Sequence, residues 1–163
     1  EIPHEANLSI AKFCQENQVK VLYNPAPARE TDKEMIPFCD FITPNEHECS
    51  ELFPDKKLEE IIKIYPNKMI VTLGVEGSIY YDGIAVKKIP AIKAEVVDTT
   101  GAGDTFNGAF AYAISKGKEM DVALSFATIA SHLSVQRFGA QGGMPSLKEI
   151  KEHSGYEEIW DFK

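Results

Sequence analysis

The chain has 163 residues, with 17 Lys and Arg against 25 Asp and Glu, for a formal charge of −8. Hydrophobic residues make up 44% and charged residues 26%, which excludes a disordered or collagen-like chain and fits one soluble domain with a sizeable core. The acidic balance argues against nucleic acid or an anionic membrane surface as partner, and no apolar run approaches the roughly eighteen residues that a bilayer span needs.

The first residues, Glu1-Ile2-Pro3-His4, carry neither an initiator Met nor a signal-peptide pattern, and read as a chain that starts part-way through something longer. Residues 5–17 form an expected helix with Ala6, Ile10, Phe13 and Cys14 along one side. Residues 19–23 are apolar and β-branched, hence a strand, stopped by Asn24-Pro25-Ala26-Pro27. Thr31 or Asp32 can cap a short helix ending near Phe38. A second strand over 40–43 is closed by Pro44, and Asn45 takes the N-cap position of the next helix. Leu58, Ile61, Ile62 and Tyr65 then follow helical spacing.

Residues 68–73 form a third strand with a turn at 74–77. Residues 78–82 and 84–89 flank Asp82-Gly83, a strong hairpin signal, and 92–97 reads as another strand. Long helices follow over about 102–116 and 121–135, the second burying Val122, Phe126, Ile129, Ala130 and Leu133. Residues 138–145 are a Gly-rich loop, and a last helix begins near Ser146. Alternating strands and helices, without repeat or linker, give one α/β unit over residues 1–163 with a largely parallel sheet. Cys14, Cys39 and Cys49, odd in number and widely spaced, read as reduced thiols of a cytosolic protein with packing roles, and the absence of any CxxC or HxxxH pair argues against a metal centre built on them.

Ligands in such sheets bind at the carboxyl ends of strands, where residues 24–29, 45–48, 72–77 and 98–104 fall. The sharpest of these is Asp98-Thr99-Thr100-Gly101-Ala102-Gly103-Asp104-Thr105-Phe106. Gly101 and Gly103 leave consecutive backbone N–H groups uncovered, and the helix N-terminus adds partial positive charge, so this turn is an anion cradle. Asp104 lies in the first helical turn, where a carboxylate can take a proton from an attacking hydroxyl while the amides hold developing charge. The competing reading is an ordinary αβ connection with an N-terminal helix acid. No Lys follows the glycines, so this is not the G-x-x-x-x-G-K-[ST] phosphate loop.

The segment from Asp98 through Phe106 to Asn107-Gly108 resembles the signature of the ribokinase (PfkB) family of carbohydrate kinases. Asn24-Pro25-Ala26-Pro27-Ala28-Arg29, Thr43-Pro44-Asn45-Glu46, Thr72-Leu73-Gly74 and Arg137-Phe138-Gly139-Ala140-Gln141 occur in that family's order, so the resemblance covers nearly the whole chain. It implies a three-layer ribokinase-like fold, transfer of the γ-phosphate of ATP to a sugar hydroxyl with D-ribose as the expected substrate, and a cytoplasmic homodimer as the intact enzyme.

Residue by residue, the resemblance implies that Asp104 is the base that meets the sugar hydroxyl and that the amides of Ala102, Gly103 and Asp104 form the anion hole. Asn45 and Glu48 would position phosphates and Mg²⁺ with its waters, a task suited to a carboxylate beside a hard cation. On the residues alone the pair reads as an N-cap and a first-turn acid. Thr72, Gly74 and Gly77 would line the nucleotide, with Thr128 at the adenine, although a helical Thr often bonds only its own backbone. A K⁺ site would use Asp98 and the carbonyls of Thr100, Ser134, Arg137 and Gly139. Gly143 stands where a serine hydroxyl usually completes that site, and Arg137 can otherwise be a helix C-terminal cation.

The family's N-terminal Gly-Gly sugar motif, early sugar-binding Asp and β-strand lid have no counterpart in these residues. The chain is therefore expected to be the C-terminal, nucleotide-binding half, inactive by itself and dependent on the missing half. The alternative is a nucleotide- or partner-binding piece without catalysis. A dinucleotide module is a poor third, because no G-x-G-x-x-G opens an early βαβ unit.

Overall fold

Helix α1 spans His4–Glu16 in the computed structural model, which describes residues 2–162. Its inward residues are Leu8 and Ala11, and not the expected side: Ile10 and Phe13 are 55% and 64% exposed. The reason lies at the helix ends. His4 Nδ1 lies 3.2 Å from a carboxylate oxygen of the buried Asp32, and Gln15 Nε2 donates to the Pro37 carbonyl at 3.3 Å. Positions 4, 8, 11 and 15 share one helix face, so these polar ties select the rotation that seats Leu8 and Ala11.

Strand β1 (Leu22–Tyr23) pairs in parallel with β2 (Phe41–Ile42), in the register Leu22↔Phe41. It is shorter than residues 19–23 because Val19 N–H returns to the α1 end at Cys14 O, and Val21 N–H goes to the Asp40 carboxylate. Between the strands a 3-10 helix covers Glu30–Phe38. It starts after Arg29, ahead of the expected cap, because the Asp32 carboxylate reaches back to Arg29 N–H at 2.8 Å. Parallel bridges Ile42↔Met69 and Asn45↔Thr72 bring β2 beside β3 (Ile70–Thr72). Strand β3 then runs antiparallel to β4 (Ser78–Tyr81), with β5 (Val86–Ile89) next in order. The Asp82 carboxylate closes the hairpin by accepting from Ile84 and Ala85 N–H, each at 2.7 Å.

Helices α2 (Glu46–Leu52) and α3 (Leu58–Ile64) place Leu52, Ile61 and Ile62 against Met69 and Val71 of the strand region. Each such side chain, wholly removed from water, contributes about 1.5–3 kcal/mol. Cys39 and Cys49 are buried in the same cluster as free thiols, and burial pushes both up to about 11, which suits packing and not nucleophilic chemistry. Cys14 is also free and half-buried.

The chain packs as two compact units, Glu1–Gly74 with Ser78–Lys88, and Val75–Gly77 with Ile89–Lys163. In the second, α4 (Ala102–Ser115) and α5 (Met120–Ser134) bury Phe106, Phe110, Phe126 and Ala127, while the expected Val122 and Leu133 are only half-buried. Phe162 stacks on Phe126 with centroids 4.2 Å apart and covers Tyr112, which anchors the C-terminal segment. A short turn α6 (Ala140–Gly143) and α7 (Leu147–Glu152) follow α5; α7 begins near Ser146 as expected, and the Ser146 side chain caps it. Residues 92–97 form no strand: Val96 and Val97 are exposed, and Val97 and Asp98 N–H both turn to the Val135 carbonyl at 2.8 and 3.2 Å. Apolar β-branched residues favour extended chain, but a strand also needs a ladder partner.

At the C-terminal segment, His153 Nδ1 accepts from Gly155 N–H at 3.0 Å, and its ring meets His132 edge-on at 5.0 Å. Burial, then the neighbouring His132, holds the His153 imidazole below its ordinary value near 6.5. The unfolded chain therefore takes up this proton first as pH falls, so stability present above pH 6.5 is lost below it. We expect Tm to fall between about pH 7.5 and 5.5, and to fall less in His153→Gln. Equal losses in the two proteins would remove His153 as the cause.

Candidate functional site

In the first unit, three strand ends meet at their carboxyl sides. Pro44 interrupts β2, its carbonyl accepts from Thr72 N–H at 3.0 Å, and Asn45 thereby lies beside Thr72. Asn45 Oδ1 accepts from Glu48 N–H, and Glu48 Oε2 accepts from Asn45 N–H, both at 2.8 Å. This reciprocal capping box is the local reason that α2 starts here. It uses one oxygen of each side chain, and Asn45 Nδ2 and Glu48 Oε1 take no part in it. Burial raises the Glu48 carboxyl above its ordinary value, opposed by the Asn45 N–H bond. Asn24, in one of the segments expected at a strand's carboxyl end, donates through Nδ2 to the Thr43 carbonyl at 2.7 Å and steadies the same end. Gly74 follows Thr72 with φ +54° and open space where a Cβ would stand.

In the second unit, Gly101 is the N-cap of α4 with φ +78°, a conformation that L side chains avoid. A Cβ there would meet Ala140 Cα and Cβ at 3.0 Å. Thr105 N–H reaches back to Gly101 O at 2.9 Å, and Ala102 N–H turns to Thr99 O at 3.2 Å. Of the three expected anion-hole amides, Gly103 and Asp104 thus remain as the first-turn donors without an intrahelical acceptor, whereas that of Ala102 closes the turn. Gly103 is exposed with nothing within 4 Å of a Cβ position, and Asp104 is exposed beside it. The cradle is therefore open and carries a carboxylate at its lip. Buried Thr105 Oγ1 and Asn107 Oδ1 in the same helix lack hydrogen-bond partners; the sequence reading gave neither a role.

Asp98 joins this cradle to the turn after α5. Its Oδ1 accepts from Thr100 N–H and its Oδ2 from Gly139 N–H, each at 2.9 Å. These bonds, that from Thr100 first, hold its carboxyl below the usual carboxylate range. Gly139 O accepts from Gly143 N–H at 2.8 Å, and Arg137 N–H lies 3.4 Å from Ser134 O. The Arg137 guanidinium pairs with Glu149 of α7, whose carboxyl is held down to about 2 by Ser146 N–H and then by Arg137. Ser134, Arg137, Gly139, Gly143, Asp98 and Thr100 are thus linked to one another by backbone and carboxylate contacts. Among the described residues, no group of three or more His, Cys, Asp or Glu side chains gathers to hold a metal ion.

The remaining expected nucleotide residues have local duties. Thr128 Oγ1 bonds Leu124 O one turn back at 2.8 Å, so its hydroxyl is occupied within α5. Gly77 has φ +99°, and a Cβ there would fall 1.9 Å from Ile89 O, so only glycine allows this approach.

Residues 1–147 match the pfkB family of carbohydrate kinases. The chain belongs to that family. It is 67% identical over 151 residues to a ribokinase of Lactococcus lactis, covering 93% of this chain and 50% of that protein. A Bacillus subtilis ribokinase is 47% identical over 152 residues, with 93% and 52% covered. Among solved structures, the Arabidopsis thaliana ribokinase complexed with ribose and ATP has a TM-score of 0.81 at 32% identity, covering 99% of this chain and 54% of that one. The Thermotoga maritima ribokinase gives 0.80 at 36% identity, covering 93% and 53%. The chain has a ribokinase-like fold in part, and spans about half the length of the relatives it matches.

The approach of Gly101 to Ala140 generates a test. Gly101→Ala would pay strain of about 1–3 kcal/mol at a positive φ and push α6 away. We expect a lower Tm together with at least about a tenfold loss of ADP affinity, equivalent to about 1.4 kcal/mol. Unchanged ADP affinity in the folded variant would mean that this turn does not hold the phosphates.

Proposed function

We propose that these residues are the nucleotide-binding, C-terminal part of an ATP-dependent ribokinase. The observation that carries the reading is the left-handed Gly101 turn, which leaves the Gly103 and Asp104 amides uncovered at the start of α4 with the Asp104 carboxylate beside them. Family membership and the similarity to a ribokinase complexed with ribose and ATP support the same chemistry.

In this reading a ribose hydroxyl gives its proton to Asp104 as its oxygen attacks the γ-phosphorus of ATP. The bond from that phosphorus to the β,γ-bridging oxygen breaks, and ADP leaves with the electron pair. The products are D-ribose 5-phosphate and ADP. The amides of Gly103 and Asp104 face the developing negative charge, with Ala102 shaping their turn. Thr72, Gly74 and Gly77 supply the strand end and tight backbone that border the nucleotide, and Thr128 contributes surface. Mg²⁺ is commonly held through one or two carboxylates plus substrate phosphates, and the second oxygen of Glu48 fits such a role through water. When bound, that ion supplies charge neutralisation on the phosphates.

Because the chain spans about half of its relatives, we assign ribose turnover to the longer assembly that carries these residues, a cytoplasmic homodimer by analogy with ribokinases. The isolated chain would bind nucleotide without turning over ribose, since an unoriented hydroxyl forfeits a proximity contribution of roughly 7–11 kcal/mol. Ribose-dependent ADP release by the 163 residues alone would contradict this.

Two substitutions in the assembled protein test the roles. Asp104→Asn should lower kcat by about 10²–10⁴-fold while ADP affinity stays within about threefold. A near-normal kcat would refute the base assignment. Glu48→Gln keeps an oxygen for the Asn45 N–H and loses the charge. It should raise the Mg²⁺ midpoint with little change in Tm, whereas Glu48→Ala should also lose about 0.5–2 kcal/mol of capping. An unchanged Mg²⁺ midpoint in Glu48→Gln would leave Glu48 as a helix cap only.

A further inference from the structure

We propose that the turn formed by residues 134–143 is locked by its own backbone, with Gly143 as the wedge, and that this chain keeps its phosphate cradle in shape without a monovalent cation. The inference rests on α4's N-terminus being the phosphate cradle, and it concerns what holds that cradle in place.

A cation site of the kind implied by the family resemblance needs oxygens that converge with a side-chain hydroxyl at position 143. The residues present do not fit that need. Gly143 is buried, and a Cβ built on it would stand 2.6 Å from Ser134 O and 3.4 Å from Ser134 C. No side chain can enter there without displacing the Ser134 carbonyl, itself one of the expected ligands. Two of the other expected ligands, Asp98 and Gly139 O, already accept protein hydrogen bonds. Asp98 accepts one backbone N–H on each oxygen, and Gly139 O points along α6 to accept from Gly143 N–H. Backbone N–H dipoles thus meet the Asp98 charge from both sides, which is the compensation a cation would otherwise supply. The locked turn then seats Ala140 against Gly101, where a Cβ would come within 3.0 Å, and so fixes the N-cap of α4 from behind. Asp98, Gly139, Gly143 and Ser134 form the lock, and Gly101 is the part of the cradle it bears upon.

The test compares the 163-residue chain in potassium, sodium and choline chloride at equal ionic strength, read by thermal melting and by titration with ADP. We expect the three Tm values to agree within about 1 °C and the ADP Kd within about twofold, because a cation bound well above its Kd would raise Tm by about 3 °C or more. Gly143→Ala and Gly143→Ser should both lower Tm by about 3 °C or more, by the same overpacking, and Gly143→Ser should gain no response to potassium. A rise in Tm or ADP affinity in potassium over both other salts would overturn the proposal. So would a Gly143→Ser protein as stable as the original. If neither variant folds, the comparison of salts on the unaltered chain still decides. If the chain binds no ADP, the reading of the cradle fails, whereas the melting temperatures still decide whether a cation holds the turn.

Discussion

The carboxylate of Asp98 accepts one hydrogen bond from Thr100 N–H and one from Gly139 N–H, 41 residues further on. Charge-assisted bonds of this kind are about twice as strong as neutral ones, and both here end on backbone. The first shapes the turn that leads into Gly101, and the second ties that turn to the segment after α5. With Ala140 pressed against Gly101, the φ +78° conformation is set from two sides. The helix that follows can then present its first-turn amides outward. The chemistry attributed to Asp104 depends on this arrangement, because a carboxylate beside an anion is useful only if fixed dipoles offset the repulsion.

A second economy operates in the other unit. Asn45 and Glu48 cap α2 by bonding each other's backbone N–H, and the residues that start the helix are the ones proposed to face phosphate and magnesium. A helix start needs an acceptor side chain and tolerates an acid, so the structural requirement and the proposed ligand chemistry call for the same residue types. Burial raises the Glu48 carboxyl, and its bond from Asn45 opposes that rise, so the cap helps to keep the charge that a hard cation requires.

Much of this was legible in the residues. Asn45 announced its helix as an N-cap, a last helix was legible from near Ser146, and Asp82-Gly83 announced a hairpin. The run from Asp98 to Asp104 announced a tight glycine turn leading into a helix, which the Gly101 N-cap of α4 bears out. What stayed hidden depended on contacts between distant residues. The apolar spacing of Ala6, Ile10, Phe13 and Cys14 gave the wrong face of α1, because His4 and Gln15 fix the rotation through Asp32 and Pro37. Residues 92–97 have strand composition, yet Val97 and Asp98 N–H go to Val135 and no ladder forms. Gly143 was legible as a missing hydroxyl, but its close approach to the Ser134 carbonyl is a tertiary fact. Thr128 illustrates the opposite case: its bond to Leu124 is the local behaviour expected of a helical Thr.

The account stands or falls on whether the backbone at the start of α4 holds phosphate. Backbone amide shifts of the isotopically labelled chain, followed by NMR during titration with ADP and magnesium, address this directly. The account predicts that Gly103 and Asp104 N–H show the largest downfield changes. Saturable binding with the amides of Gly103 and Asp104 unmoved would contradict it.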